Sequence, residues 1–176
     1  MLEHVTKIGV AIAVPAPWGP RLQDFRTALG DETATGIPTH ITLLPPFEID
    51  GASRHGVESH LKKVAAAHEP FPVLLRGTGT FRPVSPVVFV SVADGISSCE
   101  QLAASVRTGP LTAPLDFPYH PHVTVAHHLD DDVLDRAFDE LAAFECEFVV
   151  DRFSLYVHDV RAGWVPTRDV GLAAGT

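Results

Sequence analysis

A chain that repeats one motif at a fixed distance, and repeats its apolar segments at that same distance, is built to fold as two related halves. Here His40-Ile41-Thr42-Leu43 and His122-Val123-Thr124-Val125 lie 82 residues apart. The same shift carries Val5 of the run VTKIGVAIAV onto Val87 of a second apolar run, and Phe71 onto Phe153 within FSLYV. Each half reads strand–helix–strand–helix–strand–strand, and two such copies are too few for a solenoid. The halves cover roughly 1–85 and 86–176 of a single domain, 1–176.

Local signals set the expected elements. Val5–Val14 is rich in β-branched residues and ends at Pro15, as a buried strand does. Trp18–Leu29 has helical spacing in Leu22, Phe25, Ala28 and Leu29, with Gly30 to close it. His40–Leu44 reads as a short strand stopped by Pro45-Pro46, because proline cannot donate to a ladder. Ser53–His68 follows as an amphipathic helix, then strands Phe71–Leu75 and Pro86–Val92, joined by a turn through Gly77–Phe81. The second half continues with helix Ser97–Arg107, strand His122–Ala126, helix Asp130–Phe144, and strands Phe148–Val157 and Trp164–Leu172. Alternating strands and helices also suit a parallel sheet. The short connection at Gly77–Pro83 favours antiparallel neighbours. The expected fold is therefore α+β and bilobal, duplicated about a pseudo-twofold, with two mostly antiparallel sheets flanking a central cleft and helices outside.

Composition bounds the partners. With 45 % hydrophobic residues the chain can bury a continuous core, and no apolar run approaches the roughly 20 residues that span a bilayer. The segment Met1–Lys7 carries an acid before its first lysine and reads as no signal peptide. Cys99 and Cys146 fit no metal or redox spacing and read as free thiols of a reducing, cytoplasmic compartment. A formal charge of −9, from 13 basic and 22 acidic residues, excludes a protein that tracks along nucleic acid. A small nucleotide or one RNA end remains compatible, and a monomer is expected.

The motifs themselves carry chemistry. On a strand, residues i and i+2 share a face, so His40 and Thr42 face one way while Ile41 and Leu43 anchor the other. His122 and Thr124 repeat the arrangement. Two imidazoles and two hydroxyls folded around one small anion suffice for phosphate-ester chemistry. One neutral imidazole takes a proton from the attacking oxygen, and one imidazolium protonates the leaving oxygen. The Thr hydroxyls donate to the non-bridging oxygens, where transition-state charge is high. This logic requires no metal and no other cofactor.

The sequence resembles the two-histidine (2H) phosphoesterase superfamily, in its 2′-5′ RNA ligase-like, cyclic phosphodiesterase branch. The resemblance rests on HITLLPPF (His40–Phe47) and PHVTVAHH (Pro121–His128), with GTGTF (Gly77–Phe81) and FSLYVHD followed by Gly163-Trp164 in support. It implies opening of a 2′,3′-cyclic phosphate on a nucleotide or RNA end, without metal. His40 and His122 would be the acid/base pair, and Thr42 and Thr124 the phosphate-binding hydroxyls. A 2′-phosphate product would make the 3′ oxygen the leaving group. Relatives often carry an Arg shortly after the second motif, where this chain has His127; an Arg is always charged and grips phosphate bidentately.

Other residues admit rival readings. A regular strand would put His128 on the face of His122 and Thr124, with His127 opposite, which makes His128 a substrate-binding candidate. Phe81 and Tyr156 are further candidates for ligand contact, as stacking rings or cleft wall, and so are Tyr119 and Trp164. His120, His122 and His127 could instead hold zinc, although no Asp, Glu or Cys at ligand spacing completes the set. A non-catalytic module that binds a phosphorylated nucleotide or RNA end would use the same His and Thr residues. Arg76, Arg82, Arg152 and Arg161 are candidates for ligand charge, while His4, His55, His60 and His68 read as solvated.

Overall fold

The computed structural model describes residues 4–173, so Met1–Glu3, the start of the segment read above as no signal peptide, lies outside them. The elements in chain order are β1 (Val5–Ala13), α1 (Trp18–Ala28), a 3-10 segment (Glu32–Gly36), β2 (His40–Asp50), α2 (Arg54–Ala66), β3 (Phe71–Thr80) and β4 (Val87–Asp94). They continue with α3 (Ile96–Val106), β5 (His122–His127), α4 (Asp131–Glu140), β6 (Glu145–Val150), β7 (Arg152–Asp159) and β8 (Gly163–Gly171). Among the described residues no helix is long and apolar enough to cross a membrane.

The strands form two four-stranded antiparallel sheets, ordered β2-β1-β7-β8 and β5-β4-β3-β6. The fold is thus α+β, and the 82-residue repeat maps β1 onto β4, β2 onto β5 and β3 onto β7. The third strand of each copy is exchanged. β3 pairs with β4 of the second copy, and β7 pairs with β1 of the first. The helices cross as well, α1 lying against β5 and α3 against β2. The expected boundary near residue 85 therefore does not separate the sheets, because each sheet takes strands from both copies.

Several element boundaries differ from the sequence reading, each for a physical reason. The apolar stretch read as one strand, Phe148–Val157, is two strands in different sheets, with Asp151 between β6 and β7. The Gly77–Phe81 segment is not a turn, because β3 continues to Thr80. The β3–β4 register slips by one residue between Leu75 and Thr78, and Gly77 takes φ 76° in that slip, where a β-bulge suits glycine. β2 runs through Pro45-Pro46 to Asp50. It can do so because β2 is an edge strand, and its pairing with β1 slips between Ile8 and Val10, so the proline nitrogens owe no ladder bonds. The helix expected over Asp130–Phe144 stops at Glu140.

A second irregularity is shared by both motif strands. Val10 pairs with Leu44 but Ala11 with Thr42, leaving Leu43 as an extra residue in β2. Val88 pairs with Ala126 but Phe89 with Thr124, leaving Val125 as an extra residue in β5. The two bulges are 82 residues apart, like the motifs. Each turns two consecutive side chains inward: Leu43 and Leu44, Val125 and Ala126 are all buried.

The core is continuous, joining Ile8, Val10 and Ile12 of β1 to Val88 and Val90 of β4, and to Phe153 and Leu155 of β7. Each such side chain contributes about 1.5–3 kcal/mol of apolar burial. Two histidines read as solvated are instead ties between helices: His60 Nε2 bonds the Val106 carbonyl at 3.0 Å, and His68 Nε2 the Ser105 hydroxyl at 2.9 Å.

Tyr119, on the loop that enters β5, donates its hydroxyl to the Thr42 carbonyl at 2.8 Å. One side chain thereby ties the approach to the second motif to the backbone of the first. Tyr119→Phe removes this donor and strands a carbonyl, so stability should fall by about 1 kcal/mol in urea unfolding, with the slope unchanged. An unshifted midpoint would show that the tie carries no stability.

Candidate active site

β2 and β5 are the edge strands of their sheets, and they approach one another. Between the sheets lies a cleft of about 920 Å³, lined from both sides by His40, Thr42, His122 and Thr124. Each imidazole is held the same way. His40 Nδ1 lies 2.7 Å from the Pro38 carbonyl oxygen, and His122 Nδ1 lies 2.7 Å from the His120 carbonyl oxygen. A carbonyl can only accept, so Nδ1 carries the proton and donates it. The neutral ring then keeps a lone pair on Nε2, and the protonated ring presents Nε2–H. The hydroxyls of Thr42 and Thr124 have no protein partner among the described residues, and both line the cleft.

Burial sets the electrostatics. It pushes His40 down to about 4; the Pro38 carbonyl opposes this, while Arg26 and His122 add to it. Burial also lowers His122, against the bond to the His120 carbonyl, with His120 itself assisting. His127 is lowered too, by burial first, then His128, then Arg26, with Asp31 opposing. Both motif rings are therefore neutral at pH 7 in the open cleft.

The bulge at Val125 decides which of the paired histidines reaches the site. It shifts the alternation by one, so Ala126 turns inward and His127 lines the cleft. His128 takes φ 54°, is exposed, and does not line the cleft, contrary to the expectation from a regular strand. The other candidates do converge. Phe81 lines the cleft with its ring edge-on to His122 at 4.9 Å and tilted against Phe89 at 4.6 Å. Phe89 lies over Gly79, where a Cβ would meet ring atoms at 2.5 Å, so only glycine admits this platform. On the opposite wall Tyr156 is 3 % exposed, and Trp164 packs over Gly9 and edge-on to His158 at 5.1 Å. Tyr119 is not part of the lining.

None of the four arginines singled out from sequence lines the cleft. Arg82, for one, bonds Asp135 at 2.9 Å. Arg26 does line it, and it is the only Arg or Lys among the described residues that does. Its signal was available: at Leu22, Phe25, Arg26 and Leu29 a cation interrupts the apolar stripe of α1. Among the described residues no three His, Cys, Asp or Glu side chains converge as a metal site, so the zinc reading of His120, His122 and His127 finds no donor set.

A model of the 2′-5′ RNA ligase superfamily matches residues 14–162. A candidate phosphoesterase of Oceanobacillus iheyensis is 30 % identical over 150 residues, covering 81 % of this chain and 86 % of its own. Among solved structures, Escherichia coli LigT complexed with ATP has a TM-score of 0.70 at 18 % identity, covering 97 % of this chain and 100 % of its own. TT0787 of Thermus thermophilus has a TM-score of 0.64 at 22 % identity, covering 94 % and 97 %. With the family model spanning both motifs and the fold shared with LigT, the chain belongs to the 2′-5′ RNA ligase superfamily.

Proposed function

We propose that this protein is a metal-independent phosphoesterase that hydrolyses a 2′,3′-cyclic phosphate, or a related phosphodiester, on a nucleotide or short RNA end. The observation that carries the reading is the repeated clamp. Two imidazoles with Nδ1–H tied to a carbonyl two residues upstream leave two Nε2 atoms and two unpartnered Thr hydroxyls around one cleft. Relatives described as candidate phosphoesterases support the reaction class, and LigT structures with 3′-AMP and with phosphate are compatible with the ligand class.

The reaction uses water. Its oxygen bonds to phosphorus as the bond from phosphorus to one ribose oxygen breaks. One Nε2 takes the proton released by water, and the other Nε2–H delivers a proton to the leaving oxygen. Thr42 and Thr124 donate to the non-bridging oxygens. Phe81 beside His122, backed by the buried Phe89, and Trp164 on the far wall are platforms of the kind on which a nucleobase stacks. The cytoplasm is the compartment proposed for this activity, in line with the two free cysteines.

Turnover of 2′,3′-cyclic nucleotides should survive a chelator and fall by about 10²–10⁴ in His40→Ala and in His122→Ala. Thr42→Val and Thr124→Val should each lose about 10²-fold in kcat. Ligand binding with no turnover across a panel of cyclic phosphates would overturn the hydrolytic reading.

The pH dependence follows from the direction of the shifts. Activity needs one ring neutral and one protonated. Both rings are lowered in the free cleft, His40 to about 4, so kcat/KM should peak below pH 6.5 and fall on the acid side near pH 4. Bound phosphate anion favours the protonated rings, so kcat should peak at higher pH than kcat/KM. Coincident optima above pH 7 would show that burial does not govern these rings.

A further inference from the structure

Resting on the phosphoesterase reading, we infer that Arg26 is the fixed cation of the phosphate site. Arg26 comes from the last turn of α1, the helix that lies across β5 of the other sheet. Its side chain is 4 % exposed, yet it lines the same cleft as His40 and His127. A guanidinium is not kept this deep in an apolar wall without a partner. Its partner is Asp31, also buried, which does not line the cleft and so lies behind the guanidinium.

The bonds define which donors remain. Arg26 Nε and Nη2 both reach Asp31 Oδ2, at 3.1 and 2.7 Å, and Nη2 reaches Thr33 Oγ1 at 3.3 Å. The Asp31 Oδ1 in turn accepts from the Thr33 amide and hydroxyl at 3.0 and 2.6 Å. Burial pushes the Asp31 carboxyl up, but bonds from Thr33 and Arg26 and the Arg26 charge outweigh it and hold it ionised. One edge of the guanidinium is therefore locked, and its Nη1 donors meet no protein acceptor among the described residues. A pre-set guanidinium with a free edge, in a cleft with no other Arg or Lys among the described residues, matches a phosphate oxygen.

The pseudo-twofold sharpens this. The helix of the second half that corresponds to α1 is α3, Ile96–Val106, and it contains no Arg or Lys. The neighbouring Arg107 bonds the Ala103 carbonyl, stacks over Tyr119 at 5.6 Å, and stays outside the cleft. Four motif side chains are duplicated and the cation is not.

The test pairs Arg26→Gln with Asp31→Asn, which removes both charges and leaves no carboxylate buried alone. Inorganic phosphate is titrated into wild type and double variant at low salt by calorimetry, and His40 is followed by NMR. Affinity should fall at least tenfold, and the His40 pKa should rise in the phosphate-free variant. Unchanged affinity, or a wild type that binds no phosphate in the millimolar range, overturns the assignment. If the double variant fails to fold, Arg26→Lys keeps the ion pair but loses the forked donor. It should bind phosphate several-fold more weakly, and equal affinity would again overturn the assignment. A wild type that hydrolyses no cyclic phosphate but binds inorganic phosphate through Arg26 would sink the hydrolytic reading and leave the cation site standing.

Discussion

Everything at the site depends on β2 and β5 being edge strands that face one another. An edge strand has backbone groups on one side only committed to its sheet. That freedom lets each strand bulge, lets β2 carry two prolines, and leaves the carbonyls of Pro38 and His120, at the strand entrances, available to the imidazoles. In a central strand the same carbonyls would be drawn into ladder bonds, and the ring tautomers would lose their anchor. Exchange of β3 and β7 between copies then holds the two edges at a fixed separation. Neither sheet can move as a sequence-contiguous unit, because each is completed by a strand of the other copy.

How much of this could be read from sequence varies with the range of the interaction responsible. The alternation that puts His and Thr on one face is local, so His40, Thr42, His122 and Thr124 were legible from five residues apiece. The duplication was legible because apolar strands recur at the motif's own spacing. Sheet membership was not: β6 and β7 form one apolar stretch broken only by Asp151, and no local pattern says that the chain changes sheets there. A bulge of one residue likewise has no signature when the inserted side chain is another Leu or Val. That is why a regular strand predicts His128 in the site, while His127 is the one that lines it. Arg26 could have been found, since a cation on an otherwise apolar helical stripe needs a buried partner or a ligand.

The apolar character of the cleft explains why the polar residues are so few and so tightly specified. Phe81, Tyr156 and Trp164 make apolar walls, and burial there lowers both motif histidines. The Nδ1 bonds to carbonyls oppose that lowering without cancelling it, so they fix ring orientation more than charge. Each clamp therefore offers a neutral base by default. Under the proposed chemistry an acid must be made, and an anionic ligand would make it by favouring the imidazolium within the same low-dielectric space.

A duplicated pair of identical clamps has a difficulty that follows from its symmetry. Acid and base must differ at the moment of reaction, yet two equivalent rings share one proton without preference. Protein groups that break the twofold resolve it, and the cleft has few. Phe81 and Phe89 crowd His122 with ring edges and no charge, and Arg26 is a cation that α3 does not repeat. Asp31 moderates the net charge felt at a distance, but it lies behind the guanidinium, so the positive edge still faces the cleft. The field is thus directional. Under the proposed chemistry it draws a phosphate oxygen toward the guanidinium, so one residue from α1 breaks the symmetry of a duplicated site.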